Sequence, residues 1–274
     1  MGVESDEWDA QQLLEKRLLH LALAQAQIQE ADSPGYLIAA ALWELDEISP
    51  AIEAYLSVWS RDRDVRALPA LSRILSDKGD WTTLIRVLNE ALKAEIKIPT
   101  LRLMGSYYSD TDNPERAVAM FQEAIAVGDN EAWLDLALHY TEIDDGQLLA
   151  SSAFERALSS GDRKANWGYS RLLLLQGDTQ SAISRAREAV LDGWTGALVP
   201  LGQGYSQADE HALAEAAFLD AIDHGAHQAE VAYLDFLISC GRIEDARRGV
   251  KEFERNINKE DAAYITSELR KTEM

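Results

Sequence analysis

AVAMFQEAIAVGDNEAWLDLALHY, residues 117–140, is the stretch that decides the fold. Ala117, Phe121 and Ala124 stand four and three residues apart, which places them on one stripe of an α-helix; a strand would need a period of two. Gly128 follows Ala124 by four and precedes Ala132 by four. Glycine tolerates the left-handed backbone that closes a helix, so the spacing predicts a helix, a tight turn and a second helix. In that next helix small Ala137 is followed three residues on by large Tyr140, one turn along the same face.

Outward from this stretch the pattern recurs. Ala51, Leu84, Ala117, Ala150, Ala182, Ala214 and Ala246 are 33, 33, 33, 32, 32 and 32 residues apart. Ahead of them by 12 residues, or 13 in the fourth unit, lie Ala39, Ser72, Gly105, Ala137, Ser170, Gly202 and Leu234, six of them small enough to let two helices approach closely. Large residues follow the series by four at Tyr55, Leu88, Phe121, Phe154 and Phe218. Gly161, Gly193 and Gly225 repeat the role of Gly128, and breaks inside the hairpins are expected at Ser49-Pro50, Gly79-Asp80, Asn113-Pro114, Gly146, Gly177-Asp178 and Gly241. A fixed period of this length signals a solenoid, in which each repeat buries its face against its neighbours.

These residues resemble the tetratricopeptide repeat (TPR) superfamily over roughly residues 33–257. Ser72-x2-Leu75-x3-Gly79 with Leu84-x3-Leu88-x2-Ala91 is similar to its repeat pattern, and Ala124-x3-Gly128-x3-Ala132 is similar to its Sel-like branch; the choice between branches stays open. The period is shorter than the 34 residues usual there. The resemblance implies an all-α fold, a right-handed superhelical solenoid of about seven helix-turn-helix repeats, and a protein-interaction module without a catalytic motif. The repeats are expected at about 33–63, 66–96, 99–128, 131–161, 164–193, 196–225 and 228–257. A capping helix over 1–32 and another over 258–274 should close the ends, the latter started by Asn258 with Asp261 and carrying Ala262, Ile265 and Leu269 toward Phe253 and Ile257. One stack undivided into domains is expected.

The net charge of −21 argues against direct nucleic-acid binding, which needs a positive surface, and favours a basic partner. No apolar run suggests a membrane span, the N-terminus is acidic where a secretory leader would be basic, and the lone Cys240 forms no internal disulfide; these point to a cytoplasmic protein.

In the superfamily the first helices of successive units line the concave wall, so the resemblance implies inward-facing positions three before, one after and four after each small residue. They include Tyr36 and Trp43, then Arg73, then Arg102, then Leu134 and Leu138, then Trp167, Arg171 and Leu174, then Val199, Gln203 and Ser206, then Val231, Asp235 and Ile238. One position further stand Glu44, Asp77, Asp110 and Glu142, replaced later by Leu175, Gln207 and Ser239. The N-terminal half thus offers acidic residues to a basic segment and the C-terminal half an apolar floor, which together suit an amphipathic segment of a partner. Arg66, Arg73 and Arg102 could form a carboxylate clamp, but intramolecular pairing with Asp64, Asp77 or Asp110 is the expected arrangement.

Candidates for chemistry are weak. His224-x2-His227 lacks a defined third zinc ligand, Asp110-x-Asp112-Asn113 runs into Pro114 where a calcium loop needs other residues, and Gly202-x-Gly204 lacks a preceding strand. The reading is a non-catalytic scaffold or adaptor, requiring no cofactor or metal, that binds a peptide or helical segment of another protein in its groove. Its alternatives are a sensor segment of a larger protein and an acidic nucleic-acid mimic that occupies a DNA-binding protein. Glu215 is expected at an outward phase, where Leu would cost little.

Overall fold

The computed structural model describes residues 34–143, 145–253 and 256–271. The cap expected over 1–32 lies outside them. Among the described residues there are helices and turns and no strand. The chain forms two compact units, Met1–Ala132 and Trp133–Met274, a division where the repeat pattern marks none.

The first unit contains α1 (Pro34–Glu44), α2 (Ile48–Asp62), α3 (Ala67–Asp77), α4 (Trp81–Lys93), α5 (Thr100–Asp110) and α6 (Pro114–Ala126). Consecutive helices pack on one another, and α3 also packs on α5, so first helices stack on first helices. Ser49-Pro50 is not a break: both residues lie in the first turn of α2, where the missing proline N–H costs nothing, and the chain turns at 45–47 instead. Asp80 starts α4 by accepting the Thr83 N–H at 3.1 Å. Hydrogen bonding from Thr83 holds the Asp80 carboxyl below the usual range. The core gathers Tyr55, Trp59, Leu68, Leu71, Leu75, Leu84 and Leu88, with Leu101, Ala124 and Ala132 below.

The second unit holds α7 (Ala132–Thr141, whose first residue closes the preceding unit), α8 (Gln147–Ser159), α9 (Ala165–Gln176), α10 (Thr179–Leu191), α11 (Leu198–Gln207), α12 (His211–Asp223), α13 (Ala229–Ser239), α14 (Ile243–Glu252) and α15 (Lys259–Lys271). A 3-10 turn, Thr195–Ala197, leads into α11. Here α9 packs on α11, α11 on α13, and α13 on α15. Asn258 accepts the Asp261 N–H at 2.8 Å and donates to its carboxylate at 2.8 Å, which starts α15. Ile265 and Leu269 then bury against Ile257 and Phe253.

Two of the small positions owe their size to aromatics of the second helices. A Cβ on Gly105 would stand 2.5 Å from the Phe121 ring, and one on Gly202 2.8 Å from the Phe218 ring. In the last hairpin the sizes are exchanged: Leu234 occupies the small position and packs over Gly249, whose added Cβ would lie 2.6 Å from Leu234 Cδ2. This explains the one large member of an otherwise small series. Complementary volume across the contact is kept, not residue size at one position.

Helix closure by left-handed residues is equally regular. Gly161 has φ +93°, and a Cβ added there would have nothing within 4 Å. Its N–H and that of Asp162 bond back to the Leu158 and Ala157 carbonyls at 3.0 Å. Gly161→Ala therefore meets backbone strain without a clash and is expected to lower unfolding stability by about 1–2 kcal/mol. Chemical denaturation of the two proteins checks this; an unchanged midpoint would contradict the assigned strain.

Candidate functional site

In the first unit, the residues expected on a concave wall engage one another. The Arg66 guanidinium lies 5.0 Å over Tyr36 and that of Arg73 lies 5.6 Å over Trp43, so the residue before α3 and one within it cover the two aromatics of α1. Tyr36 also meets Tyr55 edge-on at 5.7 Å. Burial, with Tyr36 and Glu44 adding to it, pushes the Tyr55 phenol up to about 12, which keeps it neutral. Arg66 is tied to Asp64 at 2.7 Å, as anticipated.

Arg102 pairs with Asp129 at 3.2 Å and Glu131 at 2.7 Å. The buried Asp129 carboxylate requires a counter-charge, and Arg102 supplies it. A clamp of three arginines converging on one carboxylate is thus not what this surface presents. Glu44, Asp77 and Asp110 are exposed at its edge.

The second unit contains a cleft of about 820 Å³. One wall is α9, which contributes Trp167, Arg171, Leu174 and Leu175. Their spacing of four, three and one keeps them on one face, and Arg171 lies 5.3 Å over the Trp167 ring. The middle is α11, with Val199, Gln203, Ser206 and Gln207; the far wall is α13, with Asp235, Phe236 and Ser239. Leu175 is 75% exposed at the mouth. Three successive first helices therefore present mixed chemistry: an aromatic face, branched aliphatics, amide and hydroxyl groups, one guanidinium and one carboxylate.

Of the other residues singled out in this unit, Leu134 on α7 packs into the cluster around Ala137 and Phe154, and Glu142 is exposed. Neither lines the cleft. Residues outside the expected phases do line it: His227 and Gln228 from the segment before α13, Ala232 and Phe236 of α13, Phe218 from α12, and Gly196 and Pro200 at the entry to α11. The expected Val231 and Ile238 pack into the core instead. The 3-10 turn that brings in Gly196 breaks the simple hairpin geometry, and no periodic signal marks it.

Glu215 is not an outward bystander. It accepts from the Tyr233 hydroxyl at 3.0 Å and from Arg242 at 2.7 Å, and Arg242 also bonds Asp245 at 2.8 Å. Glu215→Leu would break both of its hydrogen bonds. Arg242 and Arg248 together hold the Asp245 carboxyl below the usual range. His224 pairs with Asp220 at 3.1 Å one turn earlier. No helix among the described residues is long and apolar enough to cross a membrane.

This arrangement of stacked hairpins has solved counterparts. A tetratricopeptide repeat protein from Parabacteroides merdae is similar with a TM-score of 0.60 and 15% identity, over 85% of this chain and 96% of its own. Yeast Tom70 is similar with a TM-score of 0.65 and 13% identity; the match covers 95% of this chain and 58% of Tom70. A Sel1 repeat protein from Oxalobacter formigenes matches with a TM-score of 0.50 and 18% identity, over 73% of this chain and 98% of its own. The fold is that of the TPR and Sel-like repeat proteins. No protein-family profile and no curated protein sequence matches the chain.

Proposed function

We propose that this protein is a non-catalytic interaction module whose second unit holds an extended or helical segment of another protein in the cleft formed by α9, α11 and α13. The observation that carries the reading is the convergence of Trp167, Arg171, Leu174, Leu175, Gln203 and Gln207 on one concave space. Aromatic and arginine groups that become desolvated on binding are those that dominate binding energy in protein interfaces. Amide side chains, each both donor and acceptor, can satisfy the backbone of a bound segment without dictating its sequence. A wall built on packed helices is ordered before it binds, which lowers the entropic cost. Fold-level likeness to TPR and Sel1 repeat proteins supports an interaction role in general.

Trp167→Ala combined with Leu174→Ala removes two anchors from one wall. We expect partner capture to fall at least thirtyfold, about 2 kcal/mol, with the helix content of the variant preserved. Its melting temperature should be lowered, because Leu174 also packs against the core around Leu173, so capture is compared well below both melting temperatures. The check is comparative pull-down with isotopic labelling at low and moderate salt. Retention by the double variant, with loss in salt alone, would instead favour the acidic exterior as the working surface.

A further inference from the structure

Asp235 is the one carboxylate among the residues lining the cleft. It stands on α13, half-buried, and hydrogen-bonds the Tyr264 side chain of α15. Glu268 of α15 also faces it. From the other elements, Arg171 of α9 and His227 of the segment before α13 line the same space, α11 contributes the uncharged Gln203, Ser206 and Gln207, and α12 contributes Phe218. Arg171 is held over Trp167. Among the described residues, Asp235 forms no ion pair with a lysine or arginine.

We propose that Asp235 selects what enters the cleft by pairing with a lysine or arginine side chain of a peptide segment belonging to another protein. This rests on the reading of the cleft as a peptide site and adds to it the chemistry of the occupant. A carboxylate partly withdrawn from water and left without a counter-charge is unfavourable. Burial pushes the Asp235 carboxyl up to about 6, Tyr264 offsets part of that rise, and Glu268 adds to it. A cation delivered by the ligand supplies the missing charge in a concave, partly dry setting where a charge-assisted hydrogen bond is stronger than at an open surface. Leu174 and Leu175 on the opposite wall take the apolar residues of the same segment, while the net charge of −21 steers basic segments toward the protein.

The test is selection from a random phage-displayed dodecapeptide library on the full chain, on Asp235→Asn, and on Trp167→Ala/Leu174→Ala. Peptides selected on the parent should share a basic residue that Asp235→Asn ceases to demand. The synthesised consensus peptide should bind Asp235→Asn about tenfold or more weakly. Parent affinity should fall about tenfold from pH 7.5 to pH 5 as the carboxyl protonates. Asp235→Asn should show a smaller fall, and the difference between the two proteins isolates the carboxyl because His227 is present in both. A consensus without a basic residue, or one shared by the parent and Asp235→Asn, overturns the role of Asp235 and leaves the peptide cleft standing. Failure to select peptides, or selection of peptides indifferent to the double variant, overturns the cleft reading itself.

Discussion

Gly105→Leu is expected to destabilise the first unit by about 3 kcal/mol, the upper end of overpacking in a filled core. A Cβ alone at this position would stand 2.5 Å from two atoms of the Phe121 ring, and Phe121 is 1% exposed, so the ring has no solvent to retreat into. The backbones of α5 and α6 must separate, which loosens the contacts of both with their neighbours. The effect should be coupled: Phe121→Leu, which shortens the opposing side chain, should make Gly105→Ala less costly than it is in the parent. A double-mutant cycle by denaturant unfolding measures this, with a coupling energy of about 1 kcal/mol or more expected. Additive costs would show that the two residues do not share a contact. Gly202→Leu, against Phe218 at 2.8 Å, should behave in the same direction in the second unit.

Asp235→Asn is expected to stabilise the protein at neutral pH while weakening the binding assigned to the cleft. The sign follows from linkage. The Asp235 carboxyl is raised to about 6 when folded, against about 3.9 in an unfolded chain. Between these values the folded state holds the proton more tightly, so stability falls as pH rises through that window and the full penalty is present above it. The whole shift corresponds to about 3 kcal/mol, and the partial solvent access of the group reduces the expected gain for Asn to about 1–2 kcal/mol. Asn retains an oxygen to accept from Tyr264. Melting temperatures across pH should show the largest gain above pH 6 and none below pH 4. A variant less stable than the parent at neutral pH would mean that the carboxylate is better solvated than the packing of α13 on α15 implies. A residue that costs stability where it lines a cleft is what a binding role leaves behind.

The hairpins were legible because period, volume and turn chemistry all repeat: Ala117, Phe121 and Gly128 say the same thing that Ala214, Phe218 and Gly225 say again. What escaped depends on partners distant in sequence. Leu234 breaks the small-residue series, and its compensation by Gly249 is a pairwise fact that no single position displays. Arg102 reads as a groove residue by phase, yet it is recruited by Asp129, 27 residues away. Glu215 reads as outward, yet Arg242 and Tyr233 reach it from the following hairpin. Helical phase specifies direction from an axis; it does not specify which charged side chain from the next layer lies in that direction. In the second unit the expected positions of α9 and α11, with Asp235 and Ser239 of α13, meet around one hollow because those helices stack directly, whereas Val231 and Ile238 of α13 pack into the core with Leu234 and Leu237. His227, Gln228 and Gly196 come from connections, where period carries no information.

The most direct measurement is site-specific photo-crosslinking, with a photoreactive phenylalanine analogue placed at Gln203 inside the cleft and, separately, at exposed Glu188 on α10. Crosslinked peptides from native lysate are identified by mass spectrometry, in the parent background and with Trp167→Ala/Leu174→Ala. A defined segment of another protein, bearing a lysine or arginine, is expected to be joined at position 203 in the parent and lost in the double variant. Crosslinks of equal yield at 188, or crosslinks at 203 that survive the double variant, would contradict the cleft reading.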